Sequence, residues 1–378
     1  MTLAHFYLAA ISSLIVISTV NSVANQSEEF PRKFVPKTAD LGDWKQIEPL
    51  YLQLLEQQIA SVEDLEKWMV NRSELSSCLD EEGQRRYTQM TCHTDDPELE
   101  KKFLHFVEEI EPKLKPYEQK LNQKYFECST RSTLDAKRYA VLNRNIDAEI
   151  KLFREQNIPL QTDDSLLRQK YQKINGAMTA EFDGEEKTLQ QLEVVLEETN
   201  RNRRQEAWEK IVARRLQDRE AMDDIYDNMV KLRTQIAKNA GYENYRDYAF
   251  QEYKRFDYTP QDCERFHTAI EKWVVPLSRK LAKQRQEILG VDRLRPWDME
   301  VDPQGRPPLA PFQTPEELKK GVRSILTKIN PFLTQVFDDM DQYRNLDLDS
   351  RKGKAPGGYC ISFAEVRHSF IFMNAAGL

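Results

Sequence analysis

The sequence predicts a mainly α-helical protein: long amphipathic helices, one small β-hairpin and a short C-terminal strand pair. Three observations carry this. Only 12 of 378 residues are Gly, about half the usual share; tight turns are therefore few, which argues against a β-sandwich or barrel. Apolar residues recur with period 3.6 along most of the chain. The stretches that carry this period open on residues that cap helices. Charged residues make up 31% and mean hydropathy is −0.71, yet aromatics reach 10%; disordered chains lack such aromatics, so the reading is a folded, heavily solvated body. A net charge of −7 gives no global attraction to nucleic acid. The length suits two domains or one large helical body.

Taken in order, helices are expected at about 44–60, 62–79, 132–155 and 163–175. Ser61-x-x-Asp64 and Ser132-x-x-Asp135 open two of them with capping-box spacing. Asp96-Pro97 places an N-cap before Pro at the first helical position. Leu99, Phe103, Phe106, Val107, Ile110, Leu114, Tyr117 and Leu121 then form one stripe, and Pro112 and Pro116 call for a kink or restart. The strongest pattern runs from Arg201 to Ala240 and reads as one rod of roughly 60 Å, closed by Gly241. A second long helix starts at Thr259-Pro260 and carries Cys263, Phe266, His267, Ile270, Val274, Leu277, Leu281 and Ile288. A third starts at Thr314-Pro315 and extends to Met340. Met178–Phe182, Asp183-Gly184 and Glu185–Leu189 read as a hairpin, because Asp-Gly suits a type I′ turn. Residues 357–363 and 369–374 read as strands flanking Ala364–His368. The second is apolar on both faces and should be buried on both; standing near Leu378, it is expected as an exposed hydrophobic edge. Leu294–Pro311 is a proline-rich loop.

Residues 1–24 read as a secretory leader: Phe6–Val20 is a 15-residue apolar run, too short for a comfortable membrane span, and Ser22-Val23-Ala24 supplies small residues for cleavage. Its amino end lacks Lys and Arg, so a true start near Glu29 is the competing reading. Contact with a membrane is expected only through this leader. The chain is secreted or periplasmic if the leader is used and cytoplasmic otherwise. Asn25-Gln26-Ser27 and Asn71-Arg72-Ser73 match the N-glycosylation pattern.

Site chemistry is sparse. The cysteines Cys78, Cys92, Cys128, Cys263 and Cys360 are odd in number and make no C-x-x-C, which fits ordinary buried or semi-buried thiols. Among His5, His93, His105, His267 and His368 no two are four apart and none precedes Glu, so no zinc-binding helix face is present. His105 and His267 are expected to be packed or capped, and His368 to lie in the turn between the last strands. Arg201, Arg203 and Arg204 read as a surface cluster, and Glu108-Glu109 and Glu197-Glu198 as solvated faces. No phosphate loop, nucleophile elbow or Cys/His pair is found.

Longer motifs are more specific. Gln235–Tyr248, Arg255-Phe256-Asp257-Tyr258-Thr259-Pro260, Lys352–Cys360 and Phe370-Ile371-Phe372-Met373-Asn374 occur in this order. Together they resemble the oligoendopeptidase F branch of the thimet-oligopeptidase-like zinc metallopeptidases, from about residue 30 onward. The resemblance implies an incomplete two-lobed metallopeptidase fold, with 25–195 as the N-terminal helical lobe and 196–378 as the first part of the catalytic domain. It also implies a channel for short peptides and a zinc held by His-Glu-x-x-His plus a later Glu, with the motif Glu as general base. The sequence stops at Leu378, where that helix is expected. Zinc thus belongs to the complete family protein, and none is expected for this chain. Gly357, Gly358 and Tyr359 are the candidate substrate-binding residues: glycine lets a peptide backbone approach closely. A plain tight turn into a core strand is the alternative. Three functions stand open: a zinc oligopeptidase whose coding sequence is cut short, a non-catalytic peptide- or partner-binding module, and a helical scaffold.

Overall fold

The computed structural model describes residues 31–376, so the leader at 1–24 and the Asn25 motif lie outside the described residues. Fourteen helices are described: α1 Trp44–Glu56, α2 Val62–Cys92, α3 Pro97–His105, α4 Glu111–Glu127, α5 Ala136–Leu152, α6 Ile158–Gly176, α7 Leu189–Val195, α8 Arg201–Gln217, α9 Arg219–Asn239, α10 Tyr245–Glu252, α11 Pro260–Ala269, α12 Val275–Leu289, α13 Pro315–Ile329 and α14 Pro331–Gln342. The strands are β1 Thr179–Phe182, β2 Glu185–Thr188, β3 Leu346–Asp349, β4 Tyr359–Phe363 and β5 His368–Ala375. No helix among the described residues is long and apolar enough to cross a membrane.

Caps set most helix starts. Ser61 and Asp64 form the capping box of α2 and Thr259 and Asp262 that of α11, while Asp96 caps α3 ahead of Pro97. Ser132 does not cap: residues Ser129–Thr133 form a 3₁₀ turn and Asp135 caps α5. The stripe through Leu99–Leu121 slips at Phe106–Ile110, a π-helical turn just before Pro112. A second such turn, Ile270–Val274, precedes Pro276. In each case a residue without an N–H interrupts the i→i−4 ladder and the helix absorbs it by widening one turn.

Four expectations change. First, α2 runs to Cys92 rather than 79, although Asp80-Glu81-Glu82 breaks the apolar pattern. Glu81 is buried because its carboxylate accepts from the backbone N–H of Glu365 and Val366, at 2.9 and 3.0 Å. Second, the 201–240 rod breaks at Asp218, whose backbone (φ −102°, ψ 12°) leaves the helical region. The two halves serve different cores: Ala207 and Ile211 pack with Phe182 and Leu192, whereas Ile236, Ala237 and Ala240 pack with Tyr248. Third, the 315–340 helix is two, because Asn330 caps a new start at Pro331. Fourth, β5 is not an edge. It is the centre of a three-stranded sheet ordered β3-β5-β4, parallel to β3 and antiparallel to β4. Of its side chains only Phe372 is fully buried, so burial on both faces is partial.

The hairpin is as expected: Thr179 pairs with Thr188 and Phe182 with Glu185. Both turn residues, Asp183 (φ 55°) and Gly184 (φ 79°), are left-handed, as a type I′ turn requires. The largest core lies between α1, α2, α4 and α5, around Ile47, Leu54, Leu65, Trp68, Leu121 and Tyr125. The Trp68 indole donates to Leu54 O at 2.9 Å and its ring stacks on Tyr125 at 6.4 Å. By contrast, the 260–289 arm buries none of its residues.

Candidate functional site: a cleft that ends on the sheet

The sheet is held against α2 by an ionic knot behind β5. Lys354 is buried, and its Nζ donates to Asp347 Oδ1 (2.6 Å), Asp347 O (3.1 Å), Asp349 O (2.7 Å) and Met373 O (2.6 Å). Arg351 reaches both Asp347 oxygens and Cys92 O. Burial works against the Asp347 charge, but the hydrogen bonds from Arg351, Cys92 and Lys354 outweigh it and hold the carboxyl well below the usual range. The knot fixes where the 353–359 segment enters the sheet.

The three candidate residues stand at that entry. Gly357 has φ 85°, and a Cβ there would meet nothing within 4 Å; glycine is required by the backbone conformation and not by crowding. Its carbonyl accepts from Asn374 Nδ2 at 2.8 Å. Gly357 and Gly358 are both exposed. Tyr359 opens β4 and turns inward: its ring stacks on Phe372 at 4.5 Å and 5°, and its hydroxyl bonds with Thr91 Oγ1 at 2.6 Å. Burial raises its pKa. Tyr359 is thus a packing residue that anchors the strand, and the two glycines form the accessible part of the trio. Among the described residues no strand pairs with the outer side of β4.

One contact joins this entry to a larger feature. The Tyr359 ring lies 5.7 Å from that of Tyr87, which lines a cleft of about 780 Å³. Phe103, Glu111, Lys115, Arg168, Tyr248 and Glu252 line other parts of it. Burial raises the pKa of Glu111 and Glu252 and lowers that of Lys115. The cleft has aromatic and charged walls, and the Tyr87–Tyr359 contact links it to the strand whose outer edge is open among the described residues. No sequence motif marks the cleft, because its residues come from α2, α3, α4, α5, α6 and α10.

The remaining candidates have structural places. Asp298 is fully buried and accepts from Arg201 Nε and Nη2 (both 2.9 Å) and Arg204 Nη2 (3.2 Å), so two of the three arginines clasp the 294–311 loop to α8; Arg204 is buried, which corrects the surface reading. Arg203 pairs with Asp183 and Glu198. His105 donates from Nε2 to Gly42 O at 3.0 Å. His267 is exposed, neither packed nor capped as expected. His368 is the first residue of β5, paired with Phe363, and not in the turn. Asn71 lies inside α2. The five cysteines are free thiols: Cys78 and Cys92 are buried, Cys128 and Cys263 half-buried and Cys360 exposed. Burial pushes Cys78 up to about 12. Among the described residues no group of three or more His, Cys, Asp or Glu could hold a metal ion.

A mostly helical fold with two small sheets and a cleft between helices is the class, and sequence comparison supplies the family. Residues 36–153 match the Peptidase M3 N-terminal domain and 194–377 match Peptidase family M3. The chain belongs to peptidase family M3. It is similar to the structure of PZ peptidase A with an inhibitor (26% identity, TM-score 0.84, 91% of this chain and 61% of that one). Two further structures share the fold. A protein named as an oligoendopeptidase F is 24% identical (TM-score 0.84, 92% and 61% covered). One of the same name from Bacillus anthracis strain Ames is 23% identical (TM-score 0.85, 92% and 64% covered). The chain therefore spans about three fifths of the length of the structures it matches. No curated protein matches it in sequence.

Proposed function

We propose that this chain serves the hydrolysis of short peptides as the peptide-holding portion of a zinc metallo-oligopeptidase. The observation that carries the reading is the cleft meeting the sheet at the Tyr87–Tyr359 contact. An extended peptide lying there adds its main-chain N–H and C=O groups to the outer edge of β4, and the exposed Gly357 and Gly358 let that backbone come within hydrogen-bond distance. Membership of the M3 family, and the inhibitor carried by PZ peptidase A, support peptides as substrates. In this family zinc supplies Lewis-acid activation of water. The described residues do not fit that metal: the four histidines stand apart, and burial pushes the Cys78 and Cys92 thiols up and so disfavours thiolate. On this reading the described residues hold the peptide and do not cleave it. Calorimetric titration of the chain with a neutral hexapeptide should show binding that Gly357→Val weakens. A peptidase assay of the same material with added zinc should show no turnover. Chelator-sensitive cleavage by a chain of verified mass would overturn the non-catalytic part; absence of any peptide binding would overturn the rest.

A further inference from the structure

The cleft contains a half-buried ammonium with a single hydrogen-bond partner among the described residues. Lys115, on α4, donates from Nζ to Gln161 Oε1 at 2.9 Å; among the described residues it makes no other hydrogen bond and no ion pair. Lys354 shows what a buried lysine needs in this protein, since it is surrounded by four oxygens. Lys115 is half-buried too, and burial lowers its pKa, while Glu111 and Glu252 support its charge from beyond contact distance. A partly desolvated cation gains from each further acceptor brought to it. Arg168, exposed on α6 and paired with Asp164 at 3.2 Å, lines the same cleft. A carboxylate is the natural complement, because an ammonium–carboxylate hydrogen bond is roughly twice as strong as a neutral one.

We propose that Lys115 receives a carboxylate of the bound peptide, supplied by its C-terminus or by an acidic side chain. The inference rests on the peptide-holding reading above and adds a charge preference to it. The test is calorimetry of the full 378-residue chain at neutral pH with three N-acetylated Ala/Gly/Leu hexapeptides: a free acid, its C-terminal amide, and the amide carrying one Asp. A carboxylate-bearing peptide should bind about tenfold more tightly than the neutral amide, and which one gains identifies the source. Lys115→Gln should abolish that advantage, and Lys115→Arg should retain most of it. If Lys115→Gln fails to fold, the comparison on the wild-type chain still decides. Equal affinity for all three peptides, or an advantage that survives Lys115→Gln, overturns the proposal alone. Failure of every peptide to bind overturns the peptide-holding reading and the proposal with it.

Discussion

The helices around Trp68 and the 260–289 arm have sequences of the same quality and opposite fates. α2 and α11 both open on complete capping boxes, and both carry apolar stripes. Trp68 is 0% exposed, whereas Phe266 is 63%, Trp273 68% and Leu281 56% exposed. The difference teaches that amphipathic period specifies which face seeks cover and not what covers it. Cap and propensity form both helices; only one is also held by packing.

The comparison can be broken most directly at Trp68. Trp68→Ala removes a buried indole, its bond to Leu54 O and its stack on Tyr125, and should cost about 3–5 kcal/mol in urea unfolding. A loss below 1 kcal/mol would mean that this core is not what holds the N-terminal helices together. Asp298→Ala leaves the buried Arg204 guanidinium with carbonyl acceptors but without its carboxylate, and a cost of about 3 kcal/mol is expected by the same measurement. Gly357→Ala should cost about 1 kcal/mol, from the left-handed backbone alone, since its Cβ meets no neighbour.

Acid should reveal the knot behind β5. The folded state holds Asp347 below its ordinary value, so the unfolded state binds more protons in the acid range. The stabilisation is present at neutral pH and is lost as pH falls below about 4 toward the depressed folded value. Asp347→Asn should flatten the fall of melting temperature across that window. The smallest effect belongs to the arm: Leu281→Ala should stay within about 0.5 kcal/mol. Leu281→Glu should reduce self-association in light scattering, because it interrupts an uncovered apolar stripe.

How much was legible in the sequence follows the range of the interaction. Asp183-Gly184, the Ser61 and Thr259 boxes and Asp96-Pro97 were readable because each depends on neighbours within four residues. Asn330-Pro331 carried a readable signal that the continuous stripe of 315–340 masked. β3 was missed: Leu346-Asp347-Leu348-Asp349 is short and acidic, and becomes a strand only because Lys354 and Arg351 neutralise Asp347 while β5 supplies its partners. At the site, the paired glycines were conspicuous, and the inward turn of Tyr359 toward Thr91 and Phe372 was not.

By itself the sequence determined several capped helix starts, which faces are apolar, the type I′ hairpin and, through the order of its motifs, the family. Those features are written in local geometry and in residue strings. Tertiary structure alone decided that β5 is central, that Arg204 and Lys354 are buried, and that Tyr87 joins a cleft to the sheet. Each depends on residues tens to hundreds of positions apart, and burying those charges became tolerable only once distant oxygens had been brought to meet them.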